Sequence, residues 1–169
     1  MLDFLKPPIS RPDSVRVANM GDEDRLFRLL KRLHEDNPNP GNLPVSDQKV
    51  WAHVNAACRG QGAIAGVVDS PDKASLIASI GIFYQTAWWT DAPNLSQYWL
   101  YVDEPYRTGG KIYKNLLKFA RWHRADMSAR LGINLGLENS FITKQDPMAR
   151  FRLWRKSGRC IGMIFWMSE

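Results

Sequence analysis

The sequence is poor in the features that mark secreted, membrane-embedded and metal-scaffolded proteins. It has only two cysteines, Cys58 and Cys160, which are too few and too far apart for a disulfide framework or a metal cluster. No apolar stretch reaches the roughly 20 residues that span a bilayer, and the first residues lack the basic end and apolar run of a secretion signal. We therefore expect a soluble protein of the cytoplasm, with two buried cysteines and with no membrane or metal partner.

The chain also lacks internal repeats, low-complexity tracts and an interdomain linker. Its 169 residues, 44% of them hydrophobic and 11% aromatic, can close one sizeable core but are few for two. This predicts a single domain over residues 1–169.

Acidic residues are scarce in one long segment. From Arg107 to Arg159, thirteen Lys or Arg face three acids, a net charge of +10, so the rest of the chain carries −4 of the total +6. A positive field of this kind attracts polyanions and says nothing about the fold. Coenzyme A, nucleotides and nucleic acid all qualify as partners.

Hydrophobic periodicity predicts strands and helices in a definite order. A strand at Val15–Ala18 precedes a helix that starts near Asp22, and a second helix is capped by Ser46 or Asp47 and ends near Cys58. The later elements are strands at Ala63–Val68, Ser75–Tyr84 and Tyr98–Val102, a helix to about Arg130, a strand at Ile133–Leu137, a helix from Asp146 to about Lys156 and a strand at Cys160–Met167. A block of strands followed by alternating elements indicates an α+β fold with a mixed sheet.

The stretch from Tyr98 to Asp126 gives the strongest functional signal. A strand runs through Pro105 and Arg107 into a loop with Gly109 and Gly110, and then into a long basic helix. Glycines let the backbone turn closely, and the free N–H groups of a first helical turn point out of the helix's positive end. This arrangement holds phosphates, so it predicts an anionic ligand.

On these residues the sequence resembles the GNAT superfamily of N-acetyltransferases. Tyr101–Arg107 is similar to the family's Val-x-Pro-x-Tyr-Arg strand end, and Arg107–Gly110 is similar to the start of its Arg-x-x-Gly-x-Gly/Ala loop. The helix then supplies Leu116-Leu117 and Phe119-Ala120 at the family's spacing. The resemblance covers Leu95–Asp126 best. It implies a GNAT-like α+β fold, in which a mixed, mostly antiparallel sheet is flanked by about four helices.

The resemblance also implies acetyl-CoA as the co-substrate. N–H donors of the loop would surround the cofactor's diphosphate, arginine and lysine would add charge-assisted contacts, and free backbone groups of the preceding strand would bond the pantetheine arm. The loop is one residue longer than the common pattern, so Tyr113 replaces the second Gly or Ala and either narrows the cradle or points outward. The cofactor-binding residues implied in this way are Leu100, Val102, Arg107, Thr108, Gly109, Gly110, Lys111, Ile112 and Tyr113.

The residues expected to catalyse the transfer depart from the family's pattern. Many members have a glutamate where this chain has Gln97, and a tyrosine acid where it has Trp154. An amine with a pKa of about 10.4 must lose its proton before it attacks, and a base usually takes that proton. Tyr98 and Glu138 are therefore the candidate catalytic residues, although each is as well explained as an ordinary core or strand-end residue. Tyr101 or solvent is the candidate proton donor to the leaving thiolate.

Two functions stay open at this point. The first is an acyl-CoA-dependent N-acetyltransferase that moves an acetyl group to a primary amine, with an acceptor that enters near Trp88, Glu138 and the first two helices. The second is a non-catalytic module on the same scaffold that binds coenzyme A or a polyanion such as nucleic acid, the less favoured partner. The basic stripe of the long helix is either a polyanion contact or a solvated face, and the apolar stretch Ile161–Met167 offers a surface for a homodimer.

Overall fold

The computed structural model describes residues 9–36, 44–86 and 91–139, in which three helices cover a five-stranded sheet. The helices are α1 (Glu23–Asp36), α2 (Asp47–Arg59) and α3 (Lys111–Leu131), and the strands are β1 (Arg16–Val17), β2 (Ala63–Asp69), β3 (Leu76–Thr86), β4 (Pro93–Val102) and β5 (Gly136–Asn139). The strands lie in sequence order, antiparallel from β1 to β4, and β5 pairs parallel to β4. The predicted α+β fold with a mixed, mostly antiparallel sheet is confirmed. The helix predicted from Asp146 and the strand predicted from Cys160 lie outside the described residues.

Each face of the sheet buries its own apolar cluster, because successive side chains of a strand point to opposite faces. The cluster under α3 has Ile80, Ile82, Leu116 and Phe119 at its centre, all fully buried. The cluster on the other face joins the leucine stripe of α1 and the apolar side of α2 to Trp99 and other side chains of the sheet. The sheet is thus the middle layer of three. No helix in the described part of the chain is long and apolar enough to cross a membrane.

The start of α2 is set by a side-chain cap, as the sequence predicts. The Ser46 hydroxyl accepts the backbone N–H of Lys49 at 3.3 Å, which satisfies one of the donors that a helix start leaves unpaired. Gly60 ends the helix with a φ of 67°. The bounds of α2 therefore follow from local sequence signals.

The last described strand begins later than the sequence predicts. We expected a strand over Ile133–Leu137, but β5 begins at Gly136. Gly132 ends α3 with a φ of 65°, and Ile133 donates its N–H to the Ser128 carbonyl at 3.2 Å. The N–H of Leu135 is bound by the Ser128 hydroxyl at 3.1 Å. These residues serve as the helix C-cap and cannot also pair with β4, which makes the predicted start of the strand wrong.

A β-bulge at Tyr98 changes which side chains of β4 face α1 and α2. Gly81 pairs with Trp99 while Ile82 pairs with Gln97, which leaves Tyr98 as an extra residue on β4. The side chains of Tyr98 and Trp99 consequently lie on the same face, where Phe83 stacks on Tyr98 at a centroid distance of 4.1 Å. Position 81 must be glycine, since a Cβ there would lie 2.3 Å from the Trp99 ring. The bulge thus brings two aromatic rings together beside the helices.

Candidate functional site

The turn between β4 and α3 leaves main-chain amides open to a ligand. Two short 3-10 turns, Glu104–Tyr106 and Thr108–Gly110, lead from β4 to α3. Gly109 and Gly110 have φ values of 72° and 65°, and a Cβ on either would meet nothing within 4 Å in the described structure. The N-cap residue of α3 is Gly110, and in the described structure no side-chain cap bond forms at this helix start. The described residues leave this corner accessible to an anion.

The side chains around the corner divide into exposed and packed ones. Thr108 and Lys111 are exposed, whereas Ile112 and Tyr113 are half-buried and pack against the core under α3. Tyr113 is the third residue of α3, so the position that the family's loop pattern gives to a second Gly or Ala belongs to the helix in this chain. Because its ring is directed to the core, the longer loop does not require it to fill the glycine corner.

The strand leading to the corner has backbone groups that face away from its antiparallel neighbour. Asp103 donates its N–H to the Ile77 carbonyl at 2.8 Å, and hydrogen-bonded positions alternate along an antiparallel pair. With Val102 opposite Ala78 and Leu100 opposite Ile80, the N–H and C=O groups of these two residues point away from β3. The described pairing with β5 ends at Gln97 and Asn139. Leu100 and Val102 therefore lie on β4 beyond the described pairing with β5, and their contact with a pantetheine arm stays a prediction.

Arg107 is held by protein groups at the entrance of the turn. Its Nε donates to the Val102 carbonyl at 2.8 Å, its Nη2 donates to Asp36 at the end of α1, and its guanidinium lies 5.5 Å from the Tyr101 ring centroid. The hydroxyl of Tyr101 lies 2.7 Å from an Asp36 oxygen and 3.2 Å from an Asp103 oxygen, and its single hydrogen is shared between these two carboxylates. Burial and the bond to Asp36 raise the pKa of Tyr101 well above its ordinary value. Tyr101 is therefore a poor proton donor, and Arg107 joins the turn to α1.

The face of the sheet that α1 and α2 cover has an open pocket of about 350 Å³. Its walls come from the second half of α1, the residues that begin α2, and the bulged part of β4. This is within the size range of small-molecule sites. The side chains of Tyr98 and Trp99 form the β4 wall, directly before the strand residues Leu100 to Val102. The pocket and the glycine corner therefore lie at neighbouring positions along β4: the pocket is beside Tyr98 and Trp99, and the corner follows the end of the strand at Val102.

Two histidines that the sequence analysis did not select line this pocket. Burial, together with the charge of Lys31, lowers the pKa of His34 below its ordinary value of 6.5, which keeps its ring neutral at pH 7. His53 has its Nδ1 2.7 Å from the Lys49 carbonyl, so Nδ1 carries a hydrogen and donates it to that carbonyl. The sequence did contain a signal for them: His34 lies four residues after Leu30, and His53 lies three after Val50. Residues at these spacings share one side of a helix, so each histidine lies beside an apolar residue of its helix.

The candidate catalytic residues of the sequence analysis occupy the same region of the sheet. Tyr98 lines the pocket, is 46% exposed, and donates its hydroxyl to Gln85 Oε1 at 3.2 Å. Glu138 is half-buried on β5 opposite Ser96, a position that shares the α1 and α2 face with Phe83. Gln97 is 1% exposed and pairs with Ile82, so it belongs to the other face. Trp88 and Trp154 lie outside the described residues.

Within residues 9–36, 44–86 and 91–139, no three His, Cys, Asp or Glu side chains come together as a metal site requires. Cys58 is buried, and burial with the nearby charges of Asp22 and Glu23 raises its pKa to about 11. Such a thiol stays protonated at neutral pH and behaves as an apolar residue.

The chain matches no protein-family model and no curated protein sequence. Its fold, by contrast, is similar to solved structures. A possible acetyltransferase from Clostridium difficile 630 has a TM-score of 0.63 at 17% identity, with 92% of this chain and 95% of that chain covered. A predicted acetyltransferase from Clostridium acetobutylicum with acetyl-CoA has a TM-score of 0.61 at 15% identity, covering 92% and 94%. Ribosomal-protein-alanine N-acetyltransferase from Brucella melitensis biovar Abortus 2308 has a TM-score of 0.59 at 13% identity, covering 92% and 96%.

These similarities extend over nearly the whole of both chains at low identity, so what they establish is the architecture. The chain has the fold of the GNAT superfamily of N-acetyltransferases, as the resemblance implies. Activity has to be argued from the site, because one fold can serve several functions.

Proposed function

We propose that this protein is an acetyl-CoA-dependent N-acetyltransferase that acts on a primary amine. The observation that supports this best is the uncapped start of α3, placed behind two glycines with positive φ at the end of β4. A helix N-terminus with free N–H groups favours a diphosphate. The structure with acetyl-CoA from Clostridium acetobutylicum has the same fold, which supports acetyl-CoA as the ligand.

The cofactor would lie across the edge of β4 and the glycine corner. Its diphosphate would accept hydrogen bonds from main-chain N–H groups between Thr108 and Tyr113, with the exposed Lys111 side chain as an added cation. Its pantetheine arm would bond the Leu100 groups and the Val102 N–H that face away from β3. Arg107 already bonds the Val102 carbonyl and Asp36, so we assign it the task of holding the turn in place.

The acceptor amine would approach the thioester from the pocket on the other side of β4. Its nitrogen attacks the thioester carbonyl, the C–N bond forms and the C–S bond breaks, and the amine proton passes to a base while the sulfur takes a proton. His34, whose pKa is lowered by burial, is suited to the first task, and His53 and Glu138 are the alternative bases. Tyr98, at the bulge, is our candidate for returning a proton to the sulfur.

Release of free thiol from acetyl-CoA in the presence of amines, polyamines and peptides tests this proposal. We expect release that depends on the amine, with a product mass 42 Da above that of the acceptor, the change for acetyl replacing hydrogen. Tyr98→Phe and His34→Gln should reduce kcat and leave the Kd for acetyl-CoA unchanged, because neither residue contacts the glycine corner. Failure of acetyl-CoA to bind at high micromolar concentration would contradict the proposal.

A non-catalytic coenzyme A or polyanion-binding module is the second candidate. It is favoured by Gln97, which is buried and cannot titrate where many family members have a glutamate, and by the engagement of Tyr101 with two carboxylates. Binding of acetyl-CoA without thiol release across a broad amine panel would favour this module. Affinity for nucleic acid that falls steeply with salt would support its polyanion form.

A further inference from the structure

The pocket between α1, α2 and β4 has a charge pattern that selects among amines. Among the described residues that line it, Lys49 is the one with a full charge, His34 and His53 also belong to the lining, and none is a carboxylate. Asp47, at the start of α2, is bound to Lys31 at 2.7 Å. A polycationic amine would therefore meet positive charge from the described lining, and no acid of that lining would compensate it.

The walls of the pocket are mostly apolar and aromatic. Leu30, Leu33 and Val50 contribute aliphatic surface, and the half-exposed ring of Tyr98 stacks on Phe83. The indole N–H of Trp99 is already bound by the Ser79 hydroxyl at 3.0 Å, so this ring offers the pocket only apolar surface. An acceptor that fills the pocket therefore needs a flat or branched apolar body.

Lys49 can bind an anionic group of such an acceptor. Its side chain is exposed, and no ion pair to it occurs in the described residues. It belongs to the first turn of α2, so the positive end of that helix adds to its charge. A carboxylate is the compact anion that fits beside an amine and a ring in about 350 Å³.

We propose that the pocket of α1, α2 and β4 takes an aromatic amino acid as the acceptor, with its carboxylate at Lys49, its ring among Tyr98, Trp99 and His53, and its amine facing the thioester. This rests on the proposed acetyltransferase function for the transfer step. Binding of the amino acid itself depends only on the described pocket.

Isothermal titration of the full chain with L-phenylalanine, L-phenylalaninamide and spermidine tests the proposal directly, with and without coenzyme A. L-phenylalanine should bind at least tenfold more tightly than its amide, and spermidine should bind least. Lys49→Gln should abolish the difference between L-phenylalanine and its amide. Lys73→Gln, an exposed lysine of the turn between β2 and β3, should leave that difference intact.

The outcomes separate this inference from the proposed function. Equal or tighter binding of the amide or spermidine, no binding of L-phenylalanine at millimolar concentration, or a preference that survives in Lys49→Gln would overturn the acceptor class. If L-phenylalanine binds as expected but acetyl-CoA does not, the pocket assignment stands and the acetyltransferase proposal fails. Both the acceptor class and the acetyltransferase function would be supported if the parent protein acetylates L-phenylalanine and if Lys49→Gln no longer binds L-phenylalanine more tightly than L-phenylalaninamide.

Discussion

Replacing Gly110 by alanine should separate the stability of the turn from its ligand binding. Gly110 and Gly132 flank the two ends of α3, both have a φ of 65°, and a Cβ on either would meet nothing within 4 Å in the described structure. The cost of either alanine is therefore conformational, about 1 to 2 kcal/mol for a residue with a Cβ in the left-handed region. In a chain of this size that corresponds to a fall in Tm of about 2 to 8 °C.

The two variants should differ only in their affinity for acetyl-CoA. Gly110→Ala adds a methyl group where the diphosphate would approach the first N–H groups of α3, and loss of one charge-assisted bond should raise the Kd about tenfold or more. Gly132→Ala should match it in Tm and bind acetyl-CoA as the parent does. Differential scanning fluorimetry and isothermal titration at a temperature well below both transitions give the two quantities. Equal Kd values for the two variants would refute the placement of the diphosphate.

Further predictions concern the side chains around the two sites. Asp36→Asn should lower the free energy of unfolding by about 1.5 kcal/mol, since it weakens partly exposed bonds from Tyr101 and Arg107; unchanged denaturant midpoints would show that these bonds contribute nothing. Because the pKa of folded His34 lies below 6.5, its stabilisation is complete above that pH and is lost as the pH falls below it. The loss of stability between pH 7 and pH 5 should thus shrink in His34→Gln, and an identical loss would contradict the lowered pKa. In a Cys160→Ser background, Cys58, with a pKa of about 11, should react with a thiol reagent at pH 8 only in denaturant; rapid reaction of the folded protein would contradict its burial.

Most of the elements could be predicted because local signals decide them. Ser46 caps α2 as its sequence suggests, and Gly132 is a helix-ending glycine that the sequence analysis passed over. The start of β5 was misplaced because the alternating residues after Gly132 form a C-cap instead of a strand. That competition is decided by the bonds to Ser128, which the hydrophobic pattern does not contain.

The glycine corner was predictable and the pocket was not. A strand, two glycines and a helix are contiguous in sequence, so the turn could be inferred from one short stretch. The pocket joins His34 of α1, His53 of α2 and Tyr98 of β4, which come together only through packing. One sign of the bulge is the position of two leucines on β4. Leu95 and Leu100 belong to the same apolar cluster although one has an odd number and the other an even number, and a regular strand would place them on opposite faces.

The most direct test of the account is a crystal structure of the protein soaked with acetyl-CoA. The account predicts diphosphate oxygens about 3 Å from main-chain nitrogens between Thr108 and Tyr113. It also predicts the pantetheine arm along Leu100 and Val102, with the thioester beside the pocket of Tyr98. A corner covered by other parts of the chain, with its N–H groups bonded to protein, or a diphosphate bound elsewhere would contradict it.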